Sequence, residues 1–396
     1  MRTRVLALAL FALTLGAAVF YPQLQATPGP AGPPLDPGQA AVHKPIVEVV
    51  FVLDTTGSMS GLIQTAKDKI WSIANTMASA QPTPEIRVGL VAFRDRGDQY
   101  VTRVVDLSAD LDSVYATLMD FQADGGGDTP ESVNRALYDA VHEMSWSAGQ
   151  QAYRAIFLVG DAPPHMDYNE MQYPAIVAAA RGKGIVVNTI QCGEVPATIE
   201  PWNAIADLGG GAFLQVEQAG GAVAFESPFD ARIAELAAKL DATRLYYGTD
   251  DDKARMEGKM AATDKLHEGA SVASLARRGV FNAGEGGRVN LLGEKELVDA
   301  VVTGAVSLDE IDDEALPEVL KPMAPEEQAE HVARLARERS DIQRQIAALA
   351  EDRSAYIEKK VEEAGGLGES LDRKLYDVVS EQAAAAGLEY AEGPEY

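Results

Sequence analysis

Between residues 45 and 245, apolar runs of strand length alternate with segments of helical period. The strand-like runs are 46–53, 86–93, 101–106, 155–159, 185–191 and 212–216. Helical patterns fill 60–79, 110–121, 131–145, 169–182, 198–208 and 226–243. Val49-Val50-Phe51-Val52-Leu53 is apolar without alternation, the pattern of a strand covered on both faces. Strands that alternate with helices predict an α/β fold: a doubly wound, mostly parallel six-stranded sheet. The runs 86–93 and 101–106 follow one another too closely for a crossover helix. They predict a hairpin, with 101–106 as the one antiparallel edge strand.

After residue 245 the pattern changes. The stretch 250–265 is densely charged, 275–283 and 295–303 read as short helical or irregular pieces, and 306–325 mixes acids with prolines. This region, 246–325, shows no second strong core. From 326 to about 363 one long helix is expected, in a C-terminal α-helical region reaching 396. Val332, Leu335, Ile342, Ile346, Leu349 and Tyr356 keep heptad spacing, but Arg339 and Arg353 lie on the same seam. A plain coiled coil places apolar residues there. The helix is therefore expected to pack on the protein itself or on a partner helix, self-association included, and not to form a long rod. Gly365, Gly366 and Gly368 end it, and 371–386 predicts a last helix.

Composition changes the picture at the N-terminus. Arg2 and Arg4 precede an apolar stretch, 5–20, that is short for a membrane span. Residues 1–26 read as a signal peptide or N-terminal anchor, and 27–44 as a proline-rich linker. Folding is expected from about Pro45 onward, in an extracytoplasmic protein: periplasmic, secreted, or tethered to the membrane by an uncut leader. The formal charge of −26 argues against nucleic acid or anionic lipid as the partner. The single cysteine, Cys192, excludes an intrachain disulfide and sits in an apolar run, so a buried thiol is expected.

Candidate chemistry begins where the first strand stops. Asp54, Thr56 and Ser58 fall at i, i+2 and i+4 in the turn after Leu53. Ligand sites of open α/β sheets lie just beyond the carboxyl ends of the strands. One carboxylate and two hydroxyls on such a loop suit a hard cation. Two further stretches join them: Gly125-Gly126-Gly127-Asp128-Thr129-Pro130-Glu131, and the apolar run 155–159 that leads through Gly160 into Asp161. In this order the pieces resemble the von Willebrand factor type A domain with its metal-ion-dependent adhesion site, of the exported bacterial kind, over roughly residues 45–245. Ala162 follows Asp161 where a glycine is common in that family. The resemblance implies Asp54, Thr56, Ser58, Thr129 and Asp161 as the metal ligands, direct or through water. The implied ion is Mg²⁺, with Mn²⁺ or Ca²⁺ as alternatives. An open coordination position would take an Asp or Glu from a partner protein, in adhesion or complex assembly, without catalysis.

Competing uses of the same residues are concrete. Asp54, Ser58 or Thr129 could simply cap the helices that follow. A metal-dependent, phosphatase-like hydrolase could use Asp54. Haloacid-dehalogenase-like phosphatases need a second Asp at i+2, however, and Thr56 stands there. The long helix could also act as a scaffold beside an inert α/β domain. Arg96-Gly97-Asp98 spells an integrin-recognition tripeptide, but in the loop 94–100 these are ordinary turn residues. His165, four residues after Asp161, is expected in a loop and solvated. The acid runs 250–252 and 309–314 lack the glycine of a calcium-binding loop and read as solvated faces.

Overall fold

A computed structural model describes residues 44–127, 129–149, 152–216, 225–363 and 371–390. The leader at 1–26 and the linker up to residue 43 lie outside the described residues. Among the described residues six strands form, β1 (Ile46–Asp54), β2 (Glu85–Phe93), β3 (Thr102–Ser108), β4 (Ala152–Gly160), β5 (Ile185–Cys192) and β6 (Gly210–Val216). They make one sheet in the order β3-β2-β1-β4-β5-β6. Only β3 runs antiparallel, paired with β2 at the edge. The expected doubly wound, mostly parallel sheet is thus the observed one. β1 lies at its centre, with Val50 opposite Gly89 of β2 and Ile156 of β4.

Successive side chains along each strand point to opposite faces, so residues two apart share one. Val47, Val49, Phe51 and Leu53 enter one core, together with Tyr153, Ala155, Phe157 and Val159. Val50, Val52, Ile156 and Leu158 enter the other. The second core is covered by α3 (Val133–His142), α4 (Tyr173–Gly182) and α5 (Pro196–Gly209). The first is covered by α1 (Ser60–Ala78) and α2 (Leu111–Met119), and by residues from far down the chain. α3 and α4 both start later than the helical patterns at 131–145 and 169–182. Glu131 pairs with Pro164 in a bridge, and the Tyr173-Pro174 step delays the second start because proline belongs at a helix N-terminus.

The region after 245 is helical and does build further cores, contrary to the expectation. α6 (Asp230–Asp241), α7 (Asp250–Gly269), α8 (Val272–Ala283), α9 (Arg288–Leu292) and α10 (Leu297–Val302) lead to α11 (Pro325–Glu363) and α12 (Leu371–Ala384). Ile233, Leu236 and Leu240 of α6 pack with Ala276, Leu291, Ile342 and Ile346. Leu297, Val298, Leu320, Val332 and Leu335 form another cluster. The seam of α11 is therefore used inside the chain. Its two arginines are buried and paired: Arg339 with Glu296, at 2.8 and 3.0 Å, and Arg353 with Asp230 at 2.8 Å. The last helix, α12, returns to the sheet. Leu375, Val379 and Ala383 join the first core, and Gln382 bonds Tyr153 of β4 and Asn188 of β5. Among the described residues no helix is long and apolar enough to cross a membrane.

Candidate metal centre at the strand rim

β1 delivers Asp54 to the carboxyl edge of the sheet, where its side chain is 1% exposed. The Thr56 N–H and Oγ1–H both donate to Asp54 Oδ1, at 2.9 and 2.7 Å. Thr56 Oγ1 lies 3.3 Å from Ser58 Oγ. These bonds close the turn back on the strand end, so one carboxylate oxygen and two hydroxyls share one small cup. The other carboxylate oxygen, Oδ2, is buried and makes no well-formed hydrogen bond among the described residues. Asp54 thus holds its own turn through one oxygen. Met59 and Ser132, and neither Asp54 nor Thr129, occupy the N-cap positions of α1 and α3.

β4 runs beside β1 in register, with Leu53 opposite Val159. Asp161 therefore emerges one step past Asp54 on the neighbouring strand. Its carbonyl accepts from Thr198 Oγ1 at 2.8 Å, and the next carbonyl, of Ala162, accepts from Trp202 Nε1 at 3.0 Å. These two bonds fix the loop without a glycine at 162. Gly160 is needed for space: a Cβ there would sit 2.9 Å from Asp54 Cβ and 3.1 Å from Asp54 Oδ2. Gly160→Ala is expected to displace the Asp54 carboxylate and weaken Mg²⁺ binding at least about ten-fold in calorimetry, with about 1–3 kcal/mol lost in urea unfolding.

The glycine-rich loop closes the third side. Asp124 N–H donates to Thr55 O at 3.1 Å, and Gly57 N–H donates to Gly125 O at 3.2 Å. Gly125 and Gly126 take φ of +80° and +83°, which L side chains rarely adopt. A Cβ on Gly126 would lie 3.2 Å from Thr56 Cβ, so only a glycine lets the loop close in there. Asp98, from the Arg-Gly-Asp tripeptide, is part of this clamp: its Oδ2 accepts from Gly126 N–H at 3.2 Å. Thr129 follows on the same loop and is exposed. Asp54, Thr56, Ser58 and Asp161 thus sit at adjacent strand ends, with Thr129 on the loop that packs against them.

Charge explains what such a cup needs. Burial pushes the Asp54 carboxyl up to about 7; hydrogen bonds from Thr56 and a weaker one from the Asp161 backbone oppose this, and the Asp161 charge adds to it. Burial and the same two carboxylates push the Cys192 thiol up as well, and Cys192 is buried as expected. A divalent cation would relieve both the desolvation and the repulsion. The donors are all hard oxygens, which suits Mg²⁺ in preference to a thiolate-seeking ion. Among the described residues no three His, Cys, Asp or Glu side chains group into a metal cluster. The candidate centre has only two such side chains, Asp54 and Asp161, and its other donors are hydroxyls.

Sequence reasoning missed a second layer at this rim. Asp95, just past β2, is buried and accepts from Ser132 Oγ and Tyr168 Oη, both at 2.8 Å. His165, expected to be solvated, is buried, with Nε2 3.3 Å from Asp95 and Nδ1 2.8 Å from Asp167. Glu131 is buried, and its Oε1 lies 3.5 Å from where a Gly126 Cβ would be. The signal for this layer was available in Phe93-Arg94-Asp95: charged residues directly after an apolar strand end at the same rim.

The sheet order and the aspartate-ended central strands define a von Willebrand factor A-type fold. Residues 48–221 match the family model described as von Willebrand factor A domain, so this part of the chain is such a domain. Among curated proteins, a putative ariadne-like RING finger protein of Acanthamoeba polyphaga mimivirus is 25% identical over 130 residues, covering 32% of this chain and 12% of that protein. The chain thus matches only about an eighth of that relative's length. Among solved structures, the conserved hypothetical protein BatB of Bacteroides thetaiotaomicron is 19% identical, covering 43% of this chain and 90% of that one, with a TM-score of 0.33. The SpRpn10 VWA domain is 13% identical, covering 44% and 89%, with a TM-score of 0.34. Proximal thread matrix protein 1 of the mussel byssus, whose adhesion-site motif is occupied by zinc, is 16% identical, covering 43% and 42%, with a TM-score of 0.34.

Proposed function

We propose that this von Willebrand factor A domain is a divalent-cation-dependent binding module that captures a carboxylate of a partner protein outside the cytoplasm. The observation that carries the reading is the Asp54 carboxylate, buried at the strand rim beside the Asp161 charge, with Oδ1 held by Thr56 and no well-formed hydrogen bond at Oδ2. A buried polar atom left in this way is costly unless something outside the chain satisfies it. Asp54, Thr56, Ser58, Thr129 and Asp161 would hold the ion, Mg²⁺ by preference. Only two of these five groups carry charge. An ion held mainly by neutral oxygens keeps Lewis acidity for an Asp or Glu presented from outside.

The acidic balance of the chain, −26, keeps nucleic acid and anionic lipid outside the partner set. Location outside the cytoplasm rests on the export pattern at 1–26. Binding, not turnover, is the role assigned: a generic aryl phosphate is expected to stay intact with Mg²⁺ present. Metal-dependent hydrolysis lost in Asp54→Asn would replace this reading with the hydrolase one. The direct test is calorimetry with Mg²⁺. The intact protein is expected to bind one ion, and Asp54→Ala to bind none. Partner proteins captured in Mg²⁺ should elute with a chelator, and Mg²⁺ binding that survives Asp54→Ala would remove the site from contention.

A further inference from the structure

The loop between β4 and α4, residues 161–172, is fixed at several points. Glu131 N–H donates to Pro163 O at 3.0 Å, and His165 N–H returns to Glu131 O at 3.1 Å. Asn134 Nδ2 donates to His165 O at 2.6 Å and to Gln172 Oε1 at 2.8 Å, and Asn134 Oδ1 accepts from Tyr173 N–H at 2.8 Å. Above these bonds three flat groups are stacked. The Arg96 guanidinium lies 3.8 Å from the Tyr168 ring centre, which lies 3.9 Å from that of His165.

A loop anchored this firmly nevertheless leaves two large apolar side chains in water: Met166 is 54% exposed and Met171 47%. Single exposed apolar residues are ordinary. Two methionines on one braced loop, which begins at Asp161 of the candidate metal cup and is tied to Glu131, offer an apolar shelf. Methionine suits such a shelf because its unbranched thioether adapts to different partners. The bracing lowers the ordering cost of contact.

Charge narrows the partner further. Asp167 on the same loop and Asp124 on the glycine loop are largely exposed, with only His165, at 2.8 Å, and Arg94, at the longer distance of 3.9 Å, beside them. Arg96 is half-exposed, but its charge is matched by Glu170 at 2.7 Å. An ion bound by Asp54 and Asp161 would be neutralised by them, so the rim around it stays acidic, in a chain of net charge −26. Such a field repels an acidic segment and draws in a basic one.

The geometry points to a specific class of ligand: a segment of a second protein that carries one Asp or Glu, with a large apolar residue and a Lys or Arg beside it. The carboxylate goes to the ion, the apolar side chain to Met166 and Met171, and the basic group to the acidic rim. This rests on the binding reading above, and the test separates the two.

Fluorescent peptides are titrated onto the full chain in Mg²⁺ and read by anisotropy. One has a single Glu in a Gly/Ser context, a second adds Leu next to the Glu, and a third adds Leu and Lys. The Leu peptide is expected to bind about ten-fold tighter than the first, as partial burial of one apolar side chain allows. The Lys peptide gains further at low salt, and that gain fades as salt screens the rim. In the double variant Met166→Ala/Met171→Ala the Leu advantage is expected to fall to about two-fold or less, and calorimetry with Mg²⁺ reports in parallel that the ion centre survives. Equal binding of the three peptides by the intact protein, or a Leu advantage that persists without both methionines, overturns the shelf. Peptide binding that is indifferent to a chelator or to Asp54→Ala overturns the metal-dependent reading instead. Failure of all three peptides to bind the Mg²⁺-loaded protein overturns both.

Discussion

Arg278→Met is expected to lower the unfolding free energy by about 3–5 kcal/mol, a large share of the stability of an ordinary domain. Arg278, on α8, is 1% exposed and lies between two buried carboxylates. Its Nε and Nη2 donate to Asp112 of α2 at 2.7 and 2.6 Å, and its Nη1 and Nη2 donate to Asp241 of α6 at 2.7 and 3.0 Å. Thr263 and Asn290 also donate to Asp112, at 2.9 and 3.2 Å. Arg278 therefore ties α2 to α6 and α8, and Asp112 adds α7 and α9 through Thr263 and Asn290. Methionine fills much of the volume but leaves two anions facing each other away from water. Urea unfolding followed by circular dichroism measures the loss. Adding Asp112→Leu and Asp241→Leu to the variant is expected to restore part of it, since the two facing anions are removed, while Arg244 and His267 lose Asp241 as a partner.

The same cluster sets acid stability. Burial alone would raise the Asp112 and Asp241 carboxyls, but the Arg278 charge and its hydrogen bonds outweigh it and hold both below the usual carboxylate range. Groups depressed in the folded state stabilise it fully above the unfolded carboxyl value, about 4. That contribution is lost as pH falls below about 4 toward their folded values. The intact protein should therefore lose stability steeply below about pH 4, and Arg278→Met should lose this particular acid dependence. An unchanged acid profile in the variant would show that other carboxylates carry it.

The second large effect is at the rim, where stability and binding should separate. In metal-free protein, Asp54→Asn is expected to be at least as stable as the original. The carboxylate is buried, one of its oxygens makes no well-formed hydrogen bond, and Asp161 lies on the adjacent strand end. An amide keeps the acceptor for both Thr56 bonds and removes the charge. Saturating Mg²⁺ is expected to raise the melting temperature of the original protein, by the equivalent of about 2.7 kcal/mol at a hundred times the dissociation constant. Asp54→Asn should show no rise. Thermal melts with Mg²⁺ and with a chelator settle it, and an equal rise in both proteins would place the ion elsewhere.

The core pattern was legible because burial on both faces of a strand leaves a direct mark, as in Val49 to Leu53. The rim residues Asp54, Thr56 and Ser58 were legible for a related reason: polar groups directly after such a run must sit at a strand end. α7 was not legible as a helix with a buried side. Its inward positions Met256, Lys259, Thr263 and Leu266 have helical spacing, but two of them are polar. Lys259 is buried because Asp110 meets it at 2.6 Å, and Thr263 because Asp112 accepts its hydroxyl. Arg339 and Arg353 looked like interruptions of a seam for the same reason: their partners, Glu296 and Asp230, lie far away in the chain.

His165 shows the limit from the other side. Proline neighbours mark its loop, yet periodicity carries no information on whether a loop folds under its neighbours. By itself, then, the chain determined the order of strands and helices, the parallel sheet and the polar residues at the ends of its central strands, because local burial and strand-end position are written in consecutive residues. The tertiary structure alone decided how the late helices join the sheet, which buried charges are paired, and which rim residues brace the candidate metal cup. Those outcomes depend on partners brought together from distant positions, and a buried charge looks the same in sequence as a solvated one until its partner is known.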